Sequence, residues 1–92
     1  MNKLDLLLKL SYDRAQKKGI FIPASELREN GIYLSSHELR NMLELLKNNR
    51  LAVSNVSGTG FRITLTAEGI RFCEHDSFSI PGTPVIRLRK TA

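Results

Sequence analysis

The stretch from Leu34 to Leu51, LSSHELRNMLELLKNNRL, does most to limit what this chain can fold into. It has the start, body and end of one amphipathic helix. Ser35 and Glu38 have the S-x-x-E spacing of a capping box, in which each side chain satisfies the other residue's amide. Leu39, Met42, Leu43 and Leu46 fall at i, i+3, i+4 and i+7, one face of a 3.6-residue period. Ser36, His37, Arg40, Asn41, Glu44, Lys47 and Asn48 occupy the other face. Asn49 is the expected left-handed residue at the end, because Asn tolerates positive φ better than most residues. The spacing predicts a helix over 36–48, with the rest of the chain arranged around its apolar side.

Ninety-two residues make one domain. A chain this short hides roughly 60–65% of its unfolded surface, so its core must be economical. An apolar fraction of 41% and a charged fraction of 25% are those of an ordinary globule. The formal charge of +5 favours polyanions without naming one. Cys73 is the sole cysteine, which rules out an intramolecular disulfide and fits a reducing, cytoplasmic setting. No apolar run approaches the ~20 residues needed to span a bilayer. In MNKLDLLLKL, Asp5 and Lys9 interrupt the leucines and no small-residue cleavage site follows, so a secretory signal is not expected.

A first helix is expected over 2–18. Asn2 is its cap, and Leu4, Leu7, Leu8, Ser11 and Ala15 form its stripe, widened by Leu6 and Leu10. Lys17 and Lys18 suit its negative end, and Gly19 its stop. Ile20-Phe21-Ile22, closed by Pro23, predicts a brief edge strand or extended link. Ser25 is expected to cap a short helix, Glu26 to Asn30, anchored by Leu27 and ended by Asn30-Gly31. Ile32 and Leu34 pack inward from the turn, with Tyr33 partly exposed between them.

Two β-like runs follow the long helix, Leu51–Val56 and Phe61–Leu65, linked by Ser57-Gly58-Thr59-Gly60. Phe61, Ile63 and Leu65 alternate with Arg62 and Thr64, and Leu51 and Val53 are expected to supply the matching face of a β-hairpin. Thr66 caps a last helix, Ala67 to about Glu74, with Ile70 and Cys73 inward and Phe72 flanking. Pro81-Gly82 and Pro84 then break any helix. The basic end, Val85 to Lys90, is an added strand, a docking arm or a flexible end. The division expected is a domain over 1–76 and a basic tail over 77–92.

This order of elements, an α+β arrangement, closely resembles the winged helix-turn-helix over roughly residues 3–74. Ala24-Ser25-Glu26-Leu27 through Gly31-Ile32 is similar to the positioning helix and turn. Leu39, Leu43, Leu46, Leu51 and Val53 match the apolar ladder from recognition helix to wing. Leu65-Thr66-Ala67-Glu68-Gly69 is similar to the L-T-x-x-G after the wing in small prokaryotic or phage regulators of the MarR and PadR groups. The chain departs from that pattern at three places. Asn49-Arg50 stand where such regulators often have Gly, Ser54-Asn55 where they often carry a basic residue, and the wing tip is short and uncharged.

The resemblance implies a small regulator, a homodimer on double-stranded DNA, with helix 36–48 in the major groove. A groove about 12 Å wide accepts one α-helix. Ser36, His37, Arg40 and Asn41 would face base edges, with Glu44 and Lys47 further along. Arg62, with Asn55, Ser57 and Thr59, would reach phosphates, as would Ser25 and the amides after it. Against this stands a net charge of only +1 from Ser36 to Arg50, which also suits a plain solvated face. The alternative is a winged-helix module that binds protein, with the tail adding a strand to a partner. RNA is a third partner class, but no aromatic strand platform is visible.

No catalytic set, cofactor or metal is expected. Cys73-Glu74-His75-Asp76 lacks the second ligand pair of a zinc site. Ser36 and His37 point about 100° apart on a helix and do not form a nucleophile–base pair. Ser57-Gly58-Thr59-Gly60 joins two strands and has no Lys-Ser/Thr or following helix, so it is a hairpin link and not a phosphate loop.

Overall fold

The computed structural model describes residues 2–15 and 18–86. Among them the chain forms four helices and three strands, a small α+β body. The elements run α1 (Lys3–Ala15), β1 (Ile20–Pro23), α2 (Ala24–Glu29), α3 (Ser36–Asn48), β2 (Ala52–Ser57), β3 (Gly60–Leu65) and α4 (Ala67–His75). The sheet is antiparallel in the order β1-β3-β2, so the strand last in the chain is the central one. β1 is the brief edge strand foreseen, and Pro23 lies at its end, where a missing amide costs least.

The long helix forms over the predicted residues. Ser35 Oγ accepts from the Glu38 amide at 3.1 Å, and Glu38 Oε1 accepts from the Ser35 amide at 3.2 Å. Leu39, Leu43 and Leu46 are buried, and Met42 packs against the core. In α1, Asn2 Oδ1 accepts from the Asp5 amide at 2.8 Å, as a cap should. Leu4, Leu7, Leu8 and Leu10 are buried, and Ser11 joins them by donating to the Leu7 carbonyl at 2.8 Å. The helix is described as far as Ala15, and Lys18 stands in a bend. The Ala15 side chain, Lys17, and Arg87 to Lys90 lie outside the described residues.

Four expectations change. The left-handed residue after α3 is Arg50, at φ 60°, and Asn49 has φ −90°. The Arg50 amide donates to the Lys47 carbonyl at 2.9 Å and the Leu51 amide to the Leu46 carbonyl at 2.9 Å, a Schellman ending. That ending is commonly accompanied by an apolar residue just after the left-handed one, packed on the last turn. Leu51 is that residue, and it is buried with Leu46. Leu51 therefore belongs to the helix end and not to the strand, so the alternation in β2 starts one residue later. Ala52 faces the core opposite Leu65, and Val53, opposite Thr64, is 65% exposed. Val53 is not part of the apolar ladder.

The third change is at α2, whose N-cap is Pro23 and not Ser25. Pro23 pairs with Gly60, and the Ala24 amide donates to the Thr59 carbonyl at 2.9 Å, so strand pairing starts the helix early. Leu27 is its buried anchor, and Gly31 takes φ 77° just past its end. Finally, the hairpin link is tighter than expected. Ser57 pairs with Gly60, which leaves a two-residue turn, Gly58-Thr59.

The L-T-A-E-G stretch acquires a structural meaning. Leu65 is buried. Thr66 Oγ1 accepts from the Gly69 amide at 3.0 Å and donates to the Arg50 carbonyl at 2.6 Å. The Thr66 amide donates to the Leu51 carbonyl at 3.0 Å. One threonine thus ties the end of α3, the end of β3 and the start of α4 together. Gly69 is buried against the Leu51 carbonyl, where no side chain fits. Cys73 is buried on the same helix, and burial raises its thiol to about 12.

Residues 77–86 contain no strand. They lie across α1 and α4. The Asp5 carboxylate, fully buried, accepts from the amides of Phe78 at 2.8 Å and Ser79 at 3.0 Å, and from the Ser79 hydroxyl. The Val85 amide donates to the Asp76 carbonyl and the Ile86 amide to the Cys73 carbonyl. Val85 is buried, and the rings of Phe78 and Phe72 lie 4.8 Å apart. Among the described residues no helix is long and apolar enough to cross a membrane.

Candidate nucleic-acid interface

Because Leu39, Leu43 and Leu46 are held inward, α3 turns its polar residues out in two groups. At 100° per residue, Ser36, Arg40, Glu44 and Lys47 fall on the flank nearer β2, and His37, Asn41 and Asn48 point away from the body. The first group lines a depression between helix and strand. A cleft of about 340 Å³ is bounded by Arg40, Leu43, Glu44 and Lys47 from α3 and by Ser54, Asn55 and Val56 from β2. A smaller recess of about 110 Å³ continues it towards the hairpin tip, sharing Arg40 and Val56 and adding Ala24, Ser36 and Ser57.

The candidates divide accordingly. Ser36, Arg40, Lys47 and Asn55 are brought together along this continuous depression. Arg62 is the cross-strand partner of Asn55, exposed on the outer face of the sheet. His37 and Asn41 are exposed on the outermost face of α3 and do not line the cleft. Ser25 is exposed and makes no capping bond. The first amide of its helix is already taken by Thr59, so that end is less open to a phosphate than expected.

The charges in and around the cleft are uncommitted. Among the described residues the ion pairs are Lys3–Glu38 at 3.5 Å and Arg14–Glu26 at 2.8 Å. Arg40, Lys47 and Arg62 belong to neither, and Glu44, the one carboxylate lining the cleft, makes no ion pair. Glu38 is drawn away from this surface. The Ser35 amide and then Lys3 hold its carboxyl below the ordinary range. No family model, curated protein or solved structure matches the chain. The depression must therefore be interpreted from its own chemistry. It presents two cations, a serine and an amide to one concave surface, and a third cation, Arg62, stands on the outer face of the sheet. Such a set suits a polyanion that offers both backbone charge and hydrogen-bonding edges.

The Cys73–Asp76 cluster is otherwise engaged. Glu74 Oε2 accepts from the Tyr12 hydroxyl at 2.7 Å, and Asp76 Oδ1 accepts from the amides of Ser77 and Gly82 at 2.8 Å. Among the described residues no group of three or more His, Cys, Asp or Glu is placed to hold a metal. Two features were not legible in the sequence. Ser54 lines the cleft because the β2 alternation begins at Ala52, a phase hidden by the apolar pair Leu51-Ala52. Arg50 looked like a mere departure from Gly, and its backbone conformation is what singles it out.

Proposed function

We propose that this chain is a winged-helix DNA-binding regulator, with α3 as the recognition helix and the β2–β3 hairpin as the wing. The observation that carries the reading is the cleft. Arg40, Lys47 and Asn55 line it, Arg62 lies across from Asn55, and none of the three cations enters an ion pair among the described residues. In this reading Arg40 bridges guanine O6 and N7, and Ser36 and Asn41 add contacts from the first turns. Lys47 and Arg62 meet phosphates, which fix register without reading sequence. A homodimer on a palindromic site belongs to the same reading.

Duplex DNA titrated with the protein at ~50 mM salt tests it, since even unspecific contacts to several phosphates register there. Arg40→Ala is expected to relax base preference. Arg62→Ala is expected to weaken all sequences alike and to lower the salt slope by about one ion. No binding at micromolar protein would reject the reading.

One observation favours a protein-binding module instead. Pro23 pairs with Gly60, so β1 reaches the hairpin tip and the tip does not project as a free finger. A pull-down that recovers a protein partner and no nucleic acid, and loses that partner on truncation after Ile86, would support this second reading. Cutting further back would remove Val85 and the residues docked on Asp5.

A further inference from the structure

Arg50 is the only residue other than glycine with positive φ among the described residues. Gly or Asn would adopt this conformation with less strain. Nothing in the turn calls for an arginine side chain. The turn is held by backbone groups and by Thr66: the Arg50 amide reaches Lys47, the Leu51 amide reaches Leu46, and the Arg50 carbonyl accepts from Thr66 Oγ1. The side chain is exposed and enters neither an ion pair nor a hydrogen bond among the described residues. A positive charge suits the end of a helix, but Lys47 already stands in the last turn of α3 and needs no left-handed backbone. A residue kept in an unfavourable conformation with no side-chain partner among the described residues points to a role outside the fold.

Resting on the DNA reading above, we infer that Arg50 is a phosphate-binding residue, the third cation of a row formed with Arg40 and Lys47. Arg40 and Lys47 are separated by roughly 10 Å along the helix axis. Arg50 follows past the helix end, where a helix lying in the major groove emerges beside the sugar–phosphate backbone. A cation there meets phosphate oxygens and not base edges. Its rigid, over-determined backbone holds the root of a long side chain in place, which lowers the ordering cost of each contact.

The test uses the full chain, a labelled mixed-sequence duplex and three variants: Arg50→Gly, Arg50→Asn and Arg50→Lys. Arg50→Gly should bind about three- to tenfold more weakly at ~50 mM salt, with its log–log salt slope lowered by about 0.9. It should also resist urea at least as well as the parent, because glycine removes the strain. Arg50→Lys should keep the slope. Arg50→Asn, which also tolerates the conformation, should behave as Arg50→Gly and guards against an effect of glycine itself. If Arg50→Gly and Arg50→Asn bind with the parent's affinity and slope while Arg62→Ala weakens binding, the role of Arg50 is refuted and the DNA reading stands. If Arg50→Gly is less stable than the parent and its salt slope is unchanged, Arg50 serves the helix end and the inference also fails. If the parent chain binds no duplex, both readings fall together.

Discussion

Replacing Gly69 by alanine sets two effects of opposite sign against each other. Gly69 lies inside α4, where alanine is favoured over glycine by about 1 kcal/mol of helix propensity. Judged from helix propensity alone, Gly69→Ala should stabilise. The packing says otherwise. A Cβ at this position would overlap the Leu51 carbonyl oxygen and lie 2.8 Å from its carbonyl carbon. The obstacle is backbone, so no side-chain rotation relieves it. Moreover, that carbonyl accepts from the Thr66 amide, and Thr66 Oγ1 holds both Arg50 and Gly69. For α4 to retreat, at least one of these bonds must lengthen. Overpacking of this kind costs about 1–3 kcal/mol, with the upper end expected against rigid backbone. A lost hydrogen bond adds about 1 kcal/mol. Set against the propensity gain, the net loss is about 2–3 kcal/mol, or roughly 10–20 °C in Tm for a chain of this size. Thermal unfolding followed by circular dichroism measures it directly. Gly58→Ala is the control, since that position has open space and lies outside the left-handed region, and it should stay within about 0.5 kcal/mol of the parent. A Gly69→Ala protein as stable as the parent would refute the close approach of α4 to Leu51.

Asp5→Ala should lower stability by about 3 kcal/mol, because two partly buried hydrogen bonds to the carboxylate, from the amides of Phe78 and Ser79, are lost at roughly 1.5–3 kcal/mol each. Urea unfolding gives the loss, and amide exchange should show those two protons released first; unchanged protection there would contradict the docking of 77–86. Ser35→Ala should cost about 1 kcal/mol by opening the capping box, read as a lower urea midpoint with an unchanged m-value. Glu38 and Asp76 ionise more readily in the folded chain, held down respectively by the Ser35 amide with Lys3 and by the amides of Gly82 and Ser77. Their contribution is therefore complete above their ordinary values of 4.5 and 3.8 and is lost as pH falls through the lower folded values. Glu38→Gln should lower stability at neutral pH and converge with the parent at low pH, which flattens the acid limb of the stability–pH curve. Cys73, buried and with its thiol raised to about 12, should react with a thiol reagent at neutral pH only as fast as the chain opens. Fast labelling of the native protein would place it at the surface.

What could be inferred from local pattern concerns elements whose boundaries are set by near neighbours. The capping box at Ser35 and Glu38, the leucine period of α3, the Asn2 and Thr66 caps and the alternation of Phe61, Ile63 and Leu65 all act within about one or two turns or one strand. Most of the cleft was legible for the same reason. Once the leucines of α3 face inward, the helical period places Arg40 and Lys47 on one flank. The misreadings lie where a helix end competes with a strand for one residue or where a distant segment sets the local choice. Leu51 is claimed by a helix end and not by the strand, which moves the left-handed residue to Arg50 and turns Val53 outward. Pro23 begins α2 because Gly60 and Thr59, more than thirty residues later, hold its ends. Asp5 interrupts an apolar run in the linear chain, yet it is fully buried because residues 78 and 79 bring donors to it. Periodicity and capping are short-range physics, and one sequence displays them. Which amide meets which acceptor across seventy residues depends on chain closure in three dimensions, and no local window contains it.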